Sequence, residues 1–269
     1  MSDMDWEALE PAAAREAEFT TKLARVRQFL ADKDLGGLLL SRIDNFAWIT
    51  CGGDSYVPVN AEGGVASFLV TQDNQYLVTN NIELPRITDE ELGSLPCEKL
   101  TGYWFEDEPM QQVKQLAKGK LATDAALEGA TSVGAEMWKL RAELTPPEVE
   151  RFQELGELAA SAMTETILEA ARGDTEWELA AVLSGMLMAE GVLPVVTLVA
   201  SDERINKYRH PLPAMKEVEH YAMIVLCAKW RGLIASMTRF VAFDKLPAAL
   251  EKKNQDRKST RLNSSHRIR

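Results

Sequence analysis

An α/β (α+β) chain in two parts is what this sequence predicts, on three observations. Through the first 143 residues, apolar runs of strand length alternate with runs of helical period. From Thr145 onward, two helical runs with capping signals are followed by three apolar strand-like runs. The last two of these, Tyr221 to Cys227 and Leu233 to Phe243, flank the polar turn Lys229-Trp230-Arg231-Gly232, in which Gly232 can supply the positive φ of a tight hairpin.

In chain order, residues 1–16 form a polar lead, and residues 17–143 form a small α/β domain. From Glu18 to Ala31 the apolar positions Phe19, Leu23, Val26, Phe29 and Leu30 recur at helical spacing, and Asp34-Leu35-Gly36-Gly37 ends that helix. Leu38-Leu39-Leu40 opens a buried strand. Asn45 to Thr50 followed by Gly52-Gly53 resembles the N-terminal domain of the creatinase and prolidase family, where a strand ends in a glycine turn. Val65 to Thr71 and Gln75 to Thr79 read as a hairpin turning at Asp73-Asn74. A helix over Pro109 to Leu116 and a short strand over Lys120 to Thr123 complete this domain.

The second domain spans residues 145–255. Thr145 and Glu148 make a capping box with Pro146 in the first turn, ahead of the stripe Val149, Phe152, Leu155, Ala159, Met163 and Ile167. Gly173 stops that helix. Thr175 and Glu178 form a second capping box for a helix running to Gly191, in which Met186-Leu187-Met188 is core. Leu193 to Ala200 is a continuous apolar strand. The final strand alternates poorly, which predicts that both its faces are covered.

Composition narrows the class. The 269 residues are 46% apolar and 26% charged, as in a soluble globular protein. No run has the length of a membrane span, and the acidic N-terminus is no signal peptide. Cys51, Cys97 and Cys227 are scattered without CxxC spacing, which suits free thiols in a cytoplasm. A formal charge of −11 argues against nucleic acid. Residues 256–269 are set apart as an artefactual tail, because Asp256 to His266 matches one reading frame of a common short-read sequencing adapter. The tail has no apolar periodicity and contributes +4, leaving the remainder near −15.

Thr145-Pro146-Pro147-Glu148-Val149-Glu150, Gly173 to Leu179, His210, Gly232 and Thr238-Arg239 together resemble the pita-bread hydrolases: creatinase, prolidase, aminopeptidase P and methionine aminopeptidase. The resemblance implies a creatinase-like N-terminal domain followed by the first half of a pita-bread catalytic domain, so the gene reads as cut short. It also implies hydrolysis of C–N bonds in a small molecule or short peptide, and a homodimer. Metal-dependent members carry two aspartates on the hairpin for a pair of divalent ions such as Mn or Co. Aligned from Gly232 and Thr238-Arg239, those positions hold Val225 and Ser236, neither a ligand for hard cations. The pattern thus looks more like metal-free creatinase, with no cofactor. A non-catalytic pita-bread module for binding or regulation is the alternative.

His210, at the family's histidine position, is the candidate catalytic residue, able to pass a proton to a leaving nitrogen. Without the resemblance, a lone histidine marks no site. Arg239 has two readings: a structural partner for a carboxylate or carbonyl inside an apolar strand, or a substrate-binding residue. His220 is a surface turn residue. Cys227 is a buried inert thiol, and the Asp and Glu residues elsewhere sit mostly on solvated helix faces.

Overall fold

The structure, a computed structural model, describes residues 12–106 and 108–245, with Ala248, Glu251 and Lys252 beyond them. The adapter-like segment from Asp256 lies outside the described residues. The chain divides into two compact units. The first holds residues 1–154 with the turn Trp230–Leu233; the second holds the remainder.

In the first unit, helix α1 (Ala12–Asp32) leads into β1 (Gly37–Arg42) and α2 (Ile43–Ile49). Then follow β2 (Gly63–Thr71), β3 (Gln75–Asn80) and the turn α3 (Leu84–Arg86), which passes into a π-helix over Ile87–Leu92. After these come β4 (Glu98–Gly102), α4 (Glu108–Leu116), β5 (Leu121–Thr123), β6 (Thr131–Ser132) and α5 (Met137–Arg141). The six strands form one sheet in the order β4-β3-β2-β1-β5-β6. β1, β2 and β3 pair antiparallel, while β4, β5 and β6 join in parallel. Alternation divides β1 between two cores. Leu38 and Leu40 pack with Phe19, Val26 and Leu30 of α1, whereas Leu39 packs with Val113 and Ala117.

Several expectations hold and several need correction. The Asp73-Asn74 hairpin and the helix ending at Leu116 form as read. α1 starts at Ala12, so part of the supposed lead is helical. Asp34, not a glycine, ends it in a left-handed conformation (φ 53°). Leu35 N–H reaches the Leu30 carbonyl and Asp34 N–H the Ala31 carbonyl, a Schellman closure. Gly36 serves close approach instead, since a Cβ there would lie 1.7 Å from the Ala117 carbonyl oxygen. Asn45 to Thr50 is helical, not extended. A short apolar run such as Phe46 to Ile49 does not separate a buried strand from a buried helix, and Asp124 anchors the chain where the helix begins. Its carboxylate accepts Ser41 N–H (2.8 Å), Arg42 N–H (3.2 Å) and Asn45 Nδ2 (2.8 Å) at the start of α2.

The largest departure is a buried charge cluster. Lys22 Nζ lies 2.5 Å from Glu18 Oε1 and 2.9 Å from Glu148 Oε1, and donates to the Trp48 carbonyl at 2.7 Å. Arg151 grips Glu18 through two bonds of 2.9 and 2.8 Å. All four side chains are buried, so these acids do not sit on solvated faces. The predicted stripe fails at the same place: Val149 and Phe152 are 42% and 39% exposed, because Glu148 and Arg151 occupy the inner face.

The second unit contains α6 (Pro146–Glu169) from Leu155 onward, α7 (Glu176–Ala189), β7 (Leu193–Ser201), α8 (Arg204–Lys207), β8 (Tyr221–Trp230) and β9 (Leu233–Ala242), apart from the turn. Both capping boxes form, at Thr145–Glu148 and Thr175–Glu178. β8 is central in the order β7-β8-β9, and Ala222, Ile224, Leu226 and Ala228 point to its buried face. The hairpin turn is two residues, Arg231 (φ 45°) and Gly232 (φ 77°), as a type I′ turn requires, rather than four. A Cβ on Gly232 would also meet Ala47 Cβ at 2.8 Å. β9 is an edge strand with Ile234, Ser236, Arg239 and Phe240 exposed, which corrects the expectation of two covered faces. Met188 is likewise exposed while Leu187 is core.

Lys22→Met should destabilise the first unit by about 3–5 kcal/mol, since it leaves buried carboxylates short of a partner; urea unfolding checks this. For Glu18, burial alone would raise the pKa, but Arg151 and Lys22 outweigh it and bring the carboxyl from 4.5 to about 2. Its contribution to stability is therefore present above pH 4.5 and lost as pH falls toward 2. A Glu18→Gln protein should show a flatter stability curve across that window.

Candidate functional site

The aligned hairpin positions meet in one cleft of the second unit. Val225 of β8, Ser236 to Arg239 of β9, and Gly156 and Ala160 of α6 line a cavity of about 440 Å³. The small residues on α6 leave room above the strands. Ser236 Oγ donates to Cys227 Sγ at 3.2 Å, which ties the hydroxyl across the hairpin. Cys227 is only half-buried, not the sealed thiol expected; the sealed one is Cys51, which burial pushes up to about 12.

Arg239 does not lie inside an apolar interior. It is exposed on the edge strand, and Nη1 donates to the neighbouring Thr238 carbonyl at 3.1 Å. No carboxylate pairs with it among the described residues, so most of its fork is open to a ligand.

His210 sits elsewhere. It is exposed on the link between α8 and β8 and is not among the residues lining the cleft. Its segment is nevertheless well anchored. Glu176, at the first turn of α7 and fully buried, accepts Ser201 N–H (2.8 Å), Ser201 Oγ (2.9 Å) and Ala214 N–H (2.9 Å) and pairs with Arg204 Nε (3.0 Å). Arg204 in turn donates to the Leu212 carbonyl at 2.8 Å and stacks over Tyr208. One carboxylate thus holds both flanks of His210. A single sequence carries no signal for this, because Glu176 reads as one more acid in a helix opening.

His220 is an exposed residue at the head of β8, as read. Its Nδ1 lies 2.8 Å from Asp244 Oδ2, and Arg172 holds the other oxygen at 2.8 Å. Nearby, burial alone would raise the Asp202 pKa, but N–H bonds from Glu219, Tyr221 and His220, and Lys216, hold it below the usual range.

The donor set decides which ions the cleft suits. Hydroxyls and a guanidinium offer no anionic oxygen, so the cleft does not fit a pair of hard divalent cations. Among the described residues, no group of three or more His, Cys, Asp or Glu side chains is placed to hold a metal. Likewise, no described helix is long and apolar enough to cross a membrane.

No family model and no curated protein matches the sequence. Solved structures do. The chain is similar to the prolidase from Pyrococcus horikoshii OT3, with 19% identity and a TM-score of 0.69 over 86% of this chain and 67% of that one. It is similar to an Xaa-Pro dipeptidase from Bacillus anthracis, with 19% identity and a TM-score of 0.67 over 87% and 68%. An X-Pro aminopeptidase from Thermotoga maritima MSB8 gives 20% identity and 0.66 over 86% and 67%. The chain thus spans about two thirds of the length of each. At such identities the likeness is one of fold, and the fold is the α/β pita-bread type.

Glu176→Gln should free the His210 segment. Losing charge-assisted bonds of roughly 1.5–3 kcal/mol predicts amide exchange at Ser201 and Ala214 faster by about 10- to 100-fold. Unchanged protection would show that the segment is held by other contacts.

Proposed function

We propose that the chain acts as a metal-independent hydrolase of C–N bonds in a small molecule or short peptide. The observation that carries this reading is the cleft of Val225, Ser236 and Arg239, with a guanidinium and hydroxyls where paired carboxylates would be needed for metal. The structural neighbours, Xaa-Pro peptidases by name, support a peptidase-like hydrolase. In this reading Arg239 takes the carboxylate end of the substrate. Water adds to the scissile carbon as His210 takes its proton, and His210 then returns that proton to the leaving nitrogen.

A second reading is a non-catalytic domain that binds a small carboxylate in the same cleft. The exposure of His210, away from the cleft lining, favours it.

Metal analysis and an Xaa-Pro peptide or amidine hydrolysis screen separate the readings. The hydrolase should carry no stoichiometric Mn, Co or Zn and keep its turnover in chelator. His210→Ala should lower kcat by about 10²–10⁴-fold. Two equivalents of metal, or full activity in His210→Ala, overturns the mechanism. Carboxylate binding that depends on Arg239 without turnover establishes the binding module.

A further inference from the structure

We propose that a second cavity, within the first unit, binds a small monocarboxylate with an apolar body. The cavity measures about 660 Å³, the size of a small-molecule site. Lys22, Glu148 and Arg151 of the buried cluster form part of its lining. The remaining charges around it are Arg42, Asp44, Asp124, Arg141 and Arg231. Five cations face three carboxylates in the lining; outside it, Glu18 pairs with Lys22 and Arg151, and Glu62 pairs with Arg42 at 3.1 Å. The charges around the cavity thus nearly balance, so the site offers one guanidinium to a single carboxylate and disfavours a phosphate dianion.

Arg141 is the element built to receive it. Its Nη1 donates both to Asp44 Oδ2 at 2.6 Å and to Asn45 Oδ1 at 2.8 Å. Asn45 is itself buried and fixed by its bond to Asp124. One nitrogen therefore locks the guanidinium plane, and Nη2 and Nε have no protein partner among the described residues. A pre-oriented fork of this kind pairs with both oxygens of a carboxylate at little ordering cost. Beside it, Trp138 and Leu144 line the cavity with large exposed apolar surface, Trp138 being 65% exposed, and this surface would cover the ligand's body.

The test is a ligand-observed NMR titration of the full chain with phenylacetate, its neutral isostere phenylacetamide, and inorganic phosphate. Phenylacetate should saturate with a Kd of about 1 mM or tighter, at least about tenfold better than the amide. Phosphate should not displace it. Arg141→Gln should weaken binding about tenfold or more, and Trp138→Ala several-fold, while Arg239→Gln, which alters the other cleft, should leave it unchanged. The proposal is overturned by no saturation at about 10 mM, by equal affinities for acid and amide, by displacement with phosphate, or by loss of binding in Arg239→Gln. Should Arg141→Gln fail to fold, the exposed Trp138 decides: unchanged affinity in Trp138→Ala overturns it.

Discussion

Four buried charges organise the first unit. Lys22, Glu18, Glu148 and Arg151 come from α1 and from the first turns of α6, and Lys22 also holds the Trp48 carbonyl near the end of α2. Each charge is expensive to desolvate alone, and each is tolerable only because the other three are in place. The cluster is formally neutral within a chain of net charge −11. Its geometry forces the entry of α6 to turn a polar face inward and an apolar one outward. It also sets the surroundings of Cys51, whose thiol burial raises far above its ordinary value.

The second unit uses the same device at smaller scale. Glu176, like Glu148, sits in the first turn of a helix, where unpaired backbone donors and the helix dipole favour a negative charge. Glu148 returns a bond to Thr145, closing its own cap, whereas Glu176 reaches outward to β7 and to the His210 segment. A capping position thereby becomes a long-range tether. Asp202 repeats the pattern on a loop, gathering the N–H groups that start β8.

The hairpin cleft carries Val225 and Ser236 beside Arg239 and is lined by no carboxylate among the described residues. Carboxylates attract cations; a guanidinium with hydroxyl neighbours attracts anions. Arg239 stands at the cleft as an exposed fork on an edge strand, which gives the cleft a preference for anions.

By itself the sequence determined whatever depends on local backbone chemistry. The hairpin at Asp73-Asn74, the capping boxes at Thr145 and Thr175, and the positive φ at Gly232 all follow from residues adjacent in the chain. So did the character of Val225 and Ser236, since donor chemistry belongs to residue type. Tertiary structure alone decided the rest. Ile43 to Ile49 forms a helix, and Asp124, some eighty residues away, anchors the chain just ahead of it through Ser41 and Arg42 N–H. Val149 and Phe152 turned outward because Glu148 and Arg151, paired with Lys22 and Glu18, take the inner face. Arg239 stands exposed because its strand ends the sheet. His210 and Arg239 were named from one motif set, yet only Arg239 lines the cleft. Those outcomes rest on partners distant in sequence, and on the energy of pairing buried charges, which no local pattern encodes.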